Sequence, residues 1–394
     1  MILRRSVFCL GLSQLISWGV AYYLVGAFGD MIAKELGWSG QLVHGGFSVG
    51  LLVMALSSSL IGRLIDRHGG RRAMNVGALL NAAGCLVIAA SYNIPVYYFG
   101  WILLGLGMRL TLYDAAFAAL ARIAGPEARG PMAQITLLGG LASTVFWPVG
   151  FWLASAVGWR GALVAYAGFA LLTIPLHLTL PKARYGDTPV TGTAPALKPL
   201  AVTDRERLLA AILYATIVMV ANFLNSGMSA HMIAILGGLG LGAAAAVWTS
   251  TLRGIGQSSA RLLEVLFGRR IHPLTVNLTA SLILPACFIA GLFAAQNWTA
   301  ALAFSFFYGA GNGVLTITRG TMPLALFDHR TYGAYVGRLL APGFFLSAAA
   351  PVVYALVIER YGGEGALLLS LACASIAAIA AILLVLLFGR RSGS

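Results

Sequence analysis

The chain has 394 residues, of which 59% are hydrophobic and only 10% are charged, and its formal net charge is +14. Because a soluble domain carries roughly 25% charged residues, this composition excludes an ordinary soluble protein and indicates a multi-span membrane protein. No solvated basic domain carries the positive charge, so a nucleic-acid partner is not expected. The four cysteines lie in apolar runs without metal-ligand spacing, so neither a disulfide nor a metal site is predicted.

Twelve apolar segments follow one another, each long enough to cross a bilayer at about 1.5 Å per residue. They are residues 6–29, 42–65, 73–92, 95–121, 132–157, 161–180, 208–236, 241–267, 274–294, 298–326, 332–358 and 366–388. The first follows Arg4 and Arg5, and its length favours an uncleaved span over a signal peptide. The predicted fold is an all-α membrane protein with twelve transmembrane helices in two pseudo-symmetric six-helix halves, residues 1–180 and 208–394, joined by a polar cytoplasmic linker at 181–207.

Basic residues gather in alternate loops. The richer side carries Arg4, Arg5, Arg67, Arg71, Arg72, Arg122, Arg129, Lys182, Arg184, Lys198, Arg205, Arg207, Arg269, Arg270, Arg330, Arg390 and Arg391, whereas the other side has little beyond Lys34, Arg160 and Arg360. Because positive residues remain inside, both termini and the linker are predicted to be cytoplasmic in a cell inner (plasma) membrane.

The two halves also share a short charged pattern. Residues 63–66 read Arg-Leu-Ile-Asp and are followed by Gly-Arg-Arg at 70–72, and the same spacing recurs as Arg-Leu-Leu-Glu at 261–264 and Gly-Arg-Arg at 268–270. Repeated halves are typical of secondary transporters. Chance similarity between arginine-capped helices is the alternative.

A family resemblance rests on the loop between the second and third spans. Its residues Gly62, Leu64, Asp66, Arg67, Gly69 and Arg71 resemble the signature loop of the major facilitator superfamily. The resemblance implies a twelve-helix secondary transporter whose halves rock about a central cavity. It also implies a gating latch at Asp66, Arg67 and Arg71, and the repeat places Arg261 and Glu264 in a second latch. A solvated loop without a switching role is the alternative.

Four ionisable residues lie deep in predicted spans: Arg109, Asp114, Arg253 and Arg319. Such residues are costly in a bilayer and usually face a cavity or a partner. One carboxylate cannot neutralise three arginines, so we expect the arginines to bind an organic anion. Asp114 is a candidate for proton coupling, with pairing to Arg319 or cation binding as alternatives.

Uncharged polar and aromatic residues at helical spacing extend this predicted site. The further candidate substrate-binding residues are Gln14, Trp18, Tyr22, Asn222, Asn225, Gln257 and Asn312. Their spacing puts them on one face of each span, where they line a cavity or hydrogen-bond across helices.

The sequence therefore predicts a secondary active transporter of a small organic anion, preferentially a carboxylate, that uses alternating access and proton-coupled symport. It resembles in kind the monocarboxylate and oxalate/formate branches of the superfamily. A proton-driven exporter of drugs or metabolites is the alternative, and a non-transporting membrane receptor or sensor is a more distant one. No nucleotide loop, metal-ligand set or nucleophile constellation is present, so neither an enzyme nor a cofactor is expected. We expect a monomer in the lipid bilayer.

Overall fold

The computed structural model describes residues 4–124, 129–181, 200–267, 271–327 and 332–389. These residues are almost entirely helical and form no strand. The helices before the linker are α1 (Arg4–Ser17), α2 (Leu24–Leu36), α3 (Gly40–Leu56), α4 (Ser58–His68), α5 (Gly70–Ala89), α6 (Ile94–Thr111), α7 (Tyr113–Ala124), α8 (Arg129–Gly140) and α9 (Ala142–Leu178). Those after it are α10 (Asp204–Gly238), α11 (Ala243–Phe267), α12 (Pro273–Leu292), α13 (Trp298–Leu326) and α14 (Tyr332–Phe388).

Eight helical stretches of the described chain are long and apolar enough to cross a membrane. Two of them, within α9 and α14, reverse direction at glycines with positive φ, 71° at Gly158 and 68° at Gly362, a conformation that suits glycine. Each of these two helices therefore has two arms that cross the bundle. When both arms are counted and α3–α4 and α11 are added, the helical stretches follow the twelve predicted segments. The fold is therefore the predicted all-α, multi-pass membrane fold, while the number twelve and the residue boundaries of the halves remain predictions.

The helix ends define two sides of the bundle. The hydroxyl of Ser6, near the start of α1, donates to the carbonyl of Thr179 at the end of α9, at 2.8 Å. We call this side, where α10 also begins, the terminal side. On the opposite side, the far side, α3, α6 and α13 begin with side-chain caps from Ser39, Asn93 and Asn297. These caps satisfy amide groups that a helix start leaves without partners.

Two predicted spans are interrupted in the middle. A π-helical segment, Trp18–Tyr22, joins α1 to α2, and Leu112, with an extended ψ of −174°, separates α6 from α7. Each interruption changes the direction of the side chains that follow it. Both lie beside the polar interior described next, which agrees with the frequent occurrence of π-helical turns at functional sites.

Contacts join the part before the linker (described residues 4–181, the N-terminal part) to the part after it (200–389, the C-terminal part). On the far side the rings of His44 and His231 stack with centroids 3.9 Å apart, and the amide of Gln41 donates to the carboxylate of Glu359. Toward the terminal side, Ser258 donates to the carbonyl of Leu137 at 2.9 Å. The two parts therefore touch on both sides of the interior.

Candidate functional site

A cavity of about 380 Å³ lies between the N-terminal and C-terminal parts. The N-terminal part contributes Trp18, Tyr22, Tyr23, Arg109, Tyr113, Asp114 and Phe117, and the C-terminal part contributes Asn222, Asn225, Gln257, Arg261, Asn312 and Arg319, among others. Asp114 and Thr316, the exposed residues among those that line it, lie on the terminal side of Arg253. The cavity is therefore most open to solvent toward the terminal side.

Arg253 lies directly behind the cavity wall. Its side chain is 0% exposed, and its Nη2 donates to Asn225 Oδ1 and to Ser229 Oγ, both at 2.8 Å. The guanidinium also faces the rings of Tyr308 and Tyr23, at 5.2 Å and 5.5 Å from their centroids. Its Nε and Nη1 have no hydrogen-bond partner among the described residues. The sequence correctly placed this charge deep in the protein, but a candidate ligand, Asn225, separates it from the cavity.

Asn225 connects Arg253 to the cavity residues. Its Oδ1 also accepts a hydrogen bond from Asn312 Nδ2 at 2.9 Å, and its Nδ2 donates to the hydroxyl of Tyr22 at 3.2 Å. The Tyr22 ring in turn packs against Trp18 with centroids 4.7 Å apart. Five residues predicted as site candidates thus form one connected cluster across both parts of the chain.

Asp114 forms an ion pair with Arg109, Oδ2 to Nη1 at 2.9 Å, and its side chain is 57% exposed. The pair forms because the break at Leu112 turns α7 relative to α6, so two residues five apart face each other. The structure pairs Asp114 with Arg109 and not with Arg319, the alternative partner considered from the sequence. Arg319 lines the cavity from α13, and its backbone carbonyl accepts a hydrogen bond from Tyr214 at 2.8 Å.

Arg261 is buried, 1% exposed, and lies on the cavity wall. Its Nη1 donates to the carbonyl of Thr136 at 2.7 Å and to the hydroxyl of Tyr113 at 3.3 Å, so it links α11 to α8 and α7. The repeat argument assigned Arg261 to a latch and removed it from the substrate site. The structure puts it in contact with the cavity, one helical turn beyond Gln257.

The cavity has an excess of positive charge. Arg109, Arg261 and Arg319 line it, Arg253 lies behind it, and Asp114 is its one carboxylate in the part of the chain that is described. The salt bridges among the described residues are Arg109–Asp114, Arg160–Glu35 and Arg207–Asp204. Three of the four arginines therefore have no carboxylate partner there.

Several predicted residues lie elsewhere or outside the described part. Gln14 is fully buried and donates to the carbonyl of Thr111 at 2.8 Å, so it joins α1 to α6 and does not line the cavity. Glu264 and Arg71 are partly exposed. The side chains of Asp66 and Arg67 lie outside the described residues, as do residues 268–270 of the repeat. The latch stays a prediction.

Some cavity residues were not predicted as candidates, notably Tyr23, Tyr113, Phe117 and Asn277. Tyr113 and Phe117 are four residues apart in α7, and their rings stack with centroids 5.6 Å apart. That spacing was a usable signal, but aromatic residues in a membrane helix are commonly lipid-facing or core residues. Tyr113 can approach α8 closely because residue 139 is a glycine. A Cβ at Gly139 would lie only 2.3 Å from the hydroxyl oxygen of Tyr113.

The fold and the cavity together define a multi-pass helical membrane protein with a charged interior between its two parts. The family model described as Major Facilitator Superfamily matches residues 10–263, and the chain belongs to this family. This family is one of membrane transporters and not of enzymes. The resemblance seen in the second loop is confirmed.

Two of the proteins that this chain is similar to are transporters of different kinds. A stretch of 147 residues is 29% identical to monocarboxylate transporter 13 of Bos taurus, covering 37% of this chain and 34% of that protein. A stretch of 144 residues is 30% identical to the multidrug resistance protein MdtL of Klebsiella pneumoniae (strain 342), covering 36% of each. These alignments span about a third of the relatives' length.

The whole fold is similar to the crystal structure of the nucleoside transporter NupG. The TM-score is 0.72, the similarity covers 97% of this chain and 99% of that chain, and the sequences are 14% identical. At this identity the likeness establishes the fold alone.

Proposed function

We propose that the protein is a secondary active transporter of a small organic anion, a carboxylate, that works by alternating access. The observation that carries the proposal is the charge balance of the cavity, where four arginines accompany one described carboxylate. An arginine keeps its charge at all physiological pH values and offers five donors but no acceptor. Inside a membrane protein such charge is costly without an anion, so a substrate carboxylate supplies the missing partner.

The proposed substrate site has two layers. Tyr22, Asn222, Asn225 and Asn312 face the cavity together with Trp18 and Gln257, and Arg253 adds its charge through Asn225. Arg319 and Arg109 border the same space. An anion in the cavity would feel the positive field of Arg253 without touching it. The amide hydrogen bonds would then orient the substrate while the arginine provides attraction.

We further propose that Asp114 couples transport to protons by symport. It is the cavity carboxylate paired with Arg109, and its exposed side chain gives it access to protons from the terminal side. In this scheme an anion that engages Arg109 displaces Asp114 from its ion pair, and the freed carboxylate carries the proton. In this scheme both termini face the cytoplasm of a cell with the protein in its inner membrane, and the protein acts as a monomer. Asp66, Arg67 and Arg71 would form its gating latch.

Purified protein in proteoliposomes tests the proposal with radiolabelled carboxylates and an imposed pH gradient. We expect saturable uptake of a carboxylate that the gradient accelerates, and failure of every carboxylate to move or bind would overturn the anion proposal.

A proton-driven exporter of drugs is the second candidate, favoured by the relative named as a multidrug resistance protein. Extrusion of cationic drugs without carboxylate transport would decide for that candidate.

A further inference from the structure

Arg261 is a cavity arginine with no carboxylate partner among the described residues. Its side chain is 1% exposed, and its Nε has no hydrogen-bond partner among the described residues. Its Nη1 is bonded only to neutral oxygens, those of Thr136 and Tyr113. Arg109 has Asp114 beside it, and Arg253 is closed off by Asn225. A buried guanidinium with a free donor on a cavity wall is suited to binding an anion directly.

A row of aromatic rings runs along the wall next to Arg261. We define the aromatic row as Trp18, Tyr113 and Phe117, with centroid distances of 4.9 Å between the first two and 5.6 Å between the last two. The guanidinium carbon of Arg261 lies 5.8 Å from the centroid of Tyr113. All three rings are partly exposed and line the cavity. The wall therefore offers a cation and a flat apolar surface side by side.

The indole of Trp18 offers a further hydrogen-bond donor at this wall. Its Nε1 is buried and has no hydrogen-bond partner among the described residues, although Trp18 lines the cavity. A buried indole N–H usually has an acceptor. A polar ligand atom above the aromatic row would supply one. A small aliphatic acid would satisfy Arg261 but would leave the rings uncovered.

We propose that the cavity binds a carboxylate that carries an aromatic ring, with the carboxylate on Arg261 and the ring against the aromatic row. This deepens the proposed function and rests on it. Aromatic rings prefer offset or edge-to-face contacts with one another, and such pairs contribute beyond the area they bury. The cavity of about 380 Å³ has the size of a small-molecule site. Arg261 then sets the orientation of the ligand, and the aromatic row sets its selectivity.

Equilibrium binding to the purified full-length protein tests this proposal, with radiolabelled benzoate as the probe. Unlabelled acetate and cyclohexanecarboxylate compete with it, since the cyclohexane ring matches benzoate in size but has no π face. We expect benzoate to bind about three to ten times more tightly than cyclohexanecarboxylate, the preference that an aromatic pair provides. Acetate should bind more weakly still, because it reaches only the cation.

Two pairs of matched variants locate the site. Tyr113→Leu should remove the preference for benzoate over cyclohexanecarboxylate, whereas Tyr113→Phe, which keeps the ring, should retain it. Arg261→Gln should weaken benzoate binding by about a hundredfold, as expected when one partner of a buried charged contact is lost, and Arg261→Lys should lose less. Size-exclusion profiles and melting temperatures establish that each variant is folded. If Tyr113→Leu does not fold, the competition series on the wild type and the arginine variants still decide.

Equal affinity for benzoate and cyclohexanecarboxylate, or full benzoate binding by Arg261→Gln, would overturn this inference. In either case carboxylate binding by the wild type would leave the proposed function standing. Absence of binding for all three carboxylates, with transport of none, would overturn both.

Discussion

Replacing Asn225 by aspartate gives the buried Arg253 the carboxylate that it lacks. The geometry favours an ion pair, because Asn225 Oδ1 already lies 2.8 Å from Arg253 Nη2. We expect Asn225→Asp to raise the melting temperature, since an ion pair replaces a hydrogen bond to a neutral amide and balances the buried charge. We expect the same variant to bind a carboxylate substrate poorly. The two effects have opposite signs, which is unusual for a substitution at a binding site.

The size of the binding effect follows from Coulomb's law. A carboxylate on Arg261 would lie about 12 Å from the Arg253 guanidinium, because the two arginines are two helical turns apart in α11. At an effective dielectric constant of about 20 their attraction is about 1.4 kcal/mol. Neutralising Arg253 removes most of this attraction. A loss of about 1.4 kcal/mol corresponds to roughly tenfold weaker binding.

Competition binding and thermal unfolding of the purified protein measure both effects. Asn297→Asp is the matched control, because Asn297 caps α13 on the far side and aspartate caps a helix equally well. The control should change neither carboxylate affinity nor, by more than a few tenths of a kcal/mol, stability. Wild-type carboxylate affinity in Asn225→Asp would show that Arg253 takes no part in anion binding. The contribution of Arg253 to the charge argument would then be refuted.

Three further substitutions test separate features. Asp114→Asn should abolish the acceleration of uptake by a pH gradient while exchange of labelled for unlabelled substrate continues without a gradient, as measured in proteoliposomes. Gly309→Ala should lower the free energy of unfolding by about 1–3 kcal/mol, because its Cβ would lie 2.0 Å from the backbone oxygen of Arg253. Glu35→Gln should cost less than about 1 kcal/mol in thermal unfolding and leave uptake unchanged, because the Glu35 side chain is 47% exposed and glutamine keeps an acceptor for Arg160.

Each of these expectations has its own contrary result. Unchanged gradient-driven uptake by Asp114→Asn would remove Asp114 from proton coupling. Gly168→Ala is the control for Gly309→Ala, since nothing lies within 4 Å of a Cβ built there, and equal melting temperatures for the two variants would contradict the close-approach argument. A large loss of stability in Glu35→Gln would mean that the ion pair and the bond to Trp159 Nε1 together act as a major far-side contact.

The sequence was informative about where the helices lie along the chain and about which ionisable residues fall within them. Hydropathy located the helices, and the cost of charge in a bilayer singled out Arg109, Asp114, Arg253 and Arg319 as candidates. Three of them line the cavity and the fourth lies behind it. These inferences rest on properties of single residues and on segment length. They do not depend on how the helices turn.

The sequence was less informative about pairing, because helical periodicity assumes an unbroken helix. The extended residue Leu112 changes which way Asp114 points, and so Arg109 becomes its partner. The repeat assigned Arg261 to a second latch, but only packing shows that it reaches Tyr113 and the cavity. Such relations depend on contacts between distant segments, which no local pattern encodes.

The stacked imidazoles of His44 and His231 bear on the kinetics of the proposed cycle. They hold the far side shut while the cavity faces the terminal side, so opening to the far side must first separate them. A change of about 1.4 kcal/mol in the free energy of this contact shifts the ratio of the terminal-side-open to the far-side-open conformation tenfold. The contact between these two imidazole rings would therefore help to determine the turnover rate, although the rings lie outside the substrate cavity.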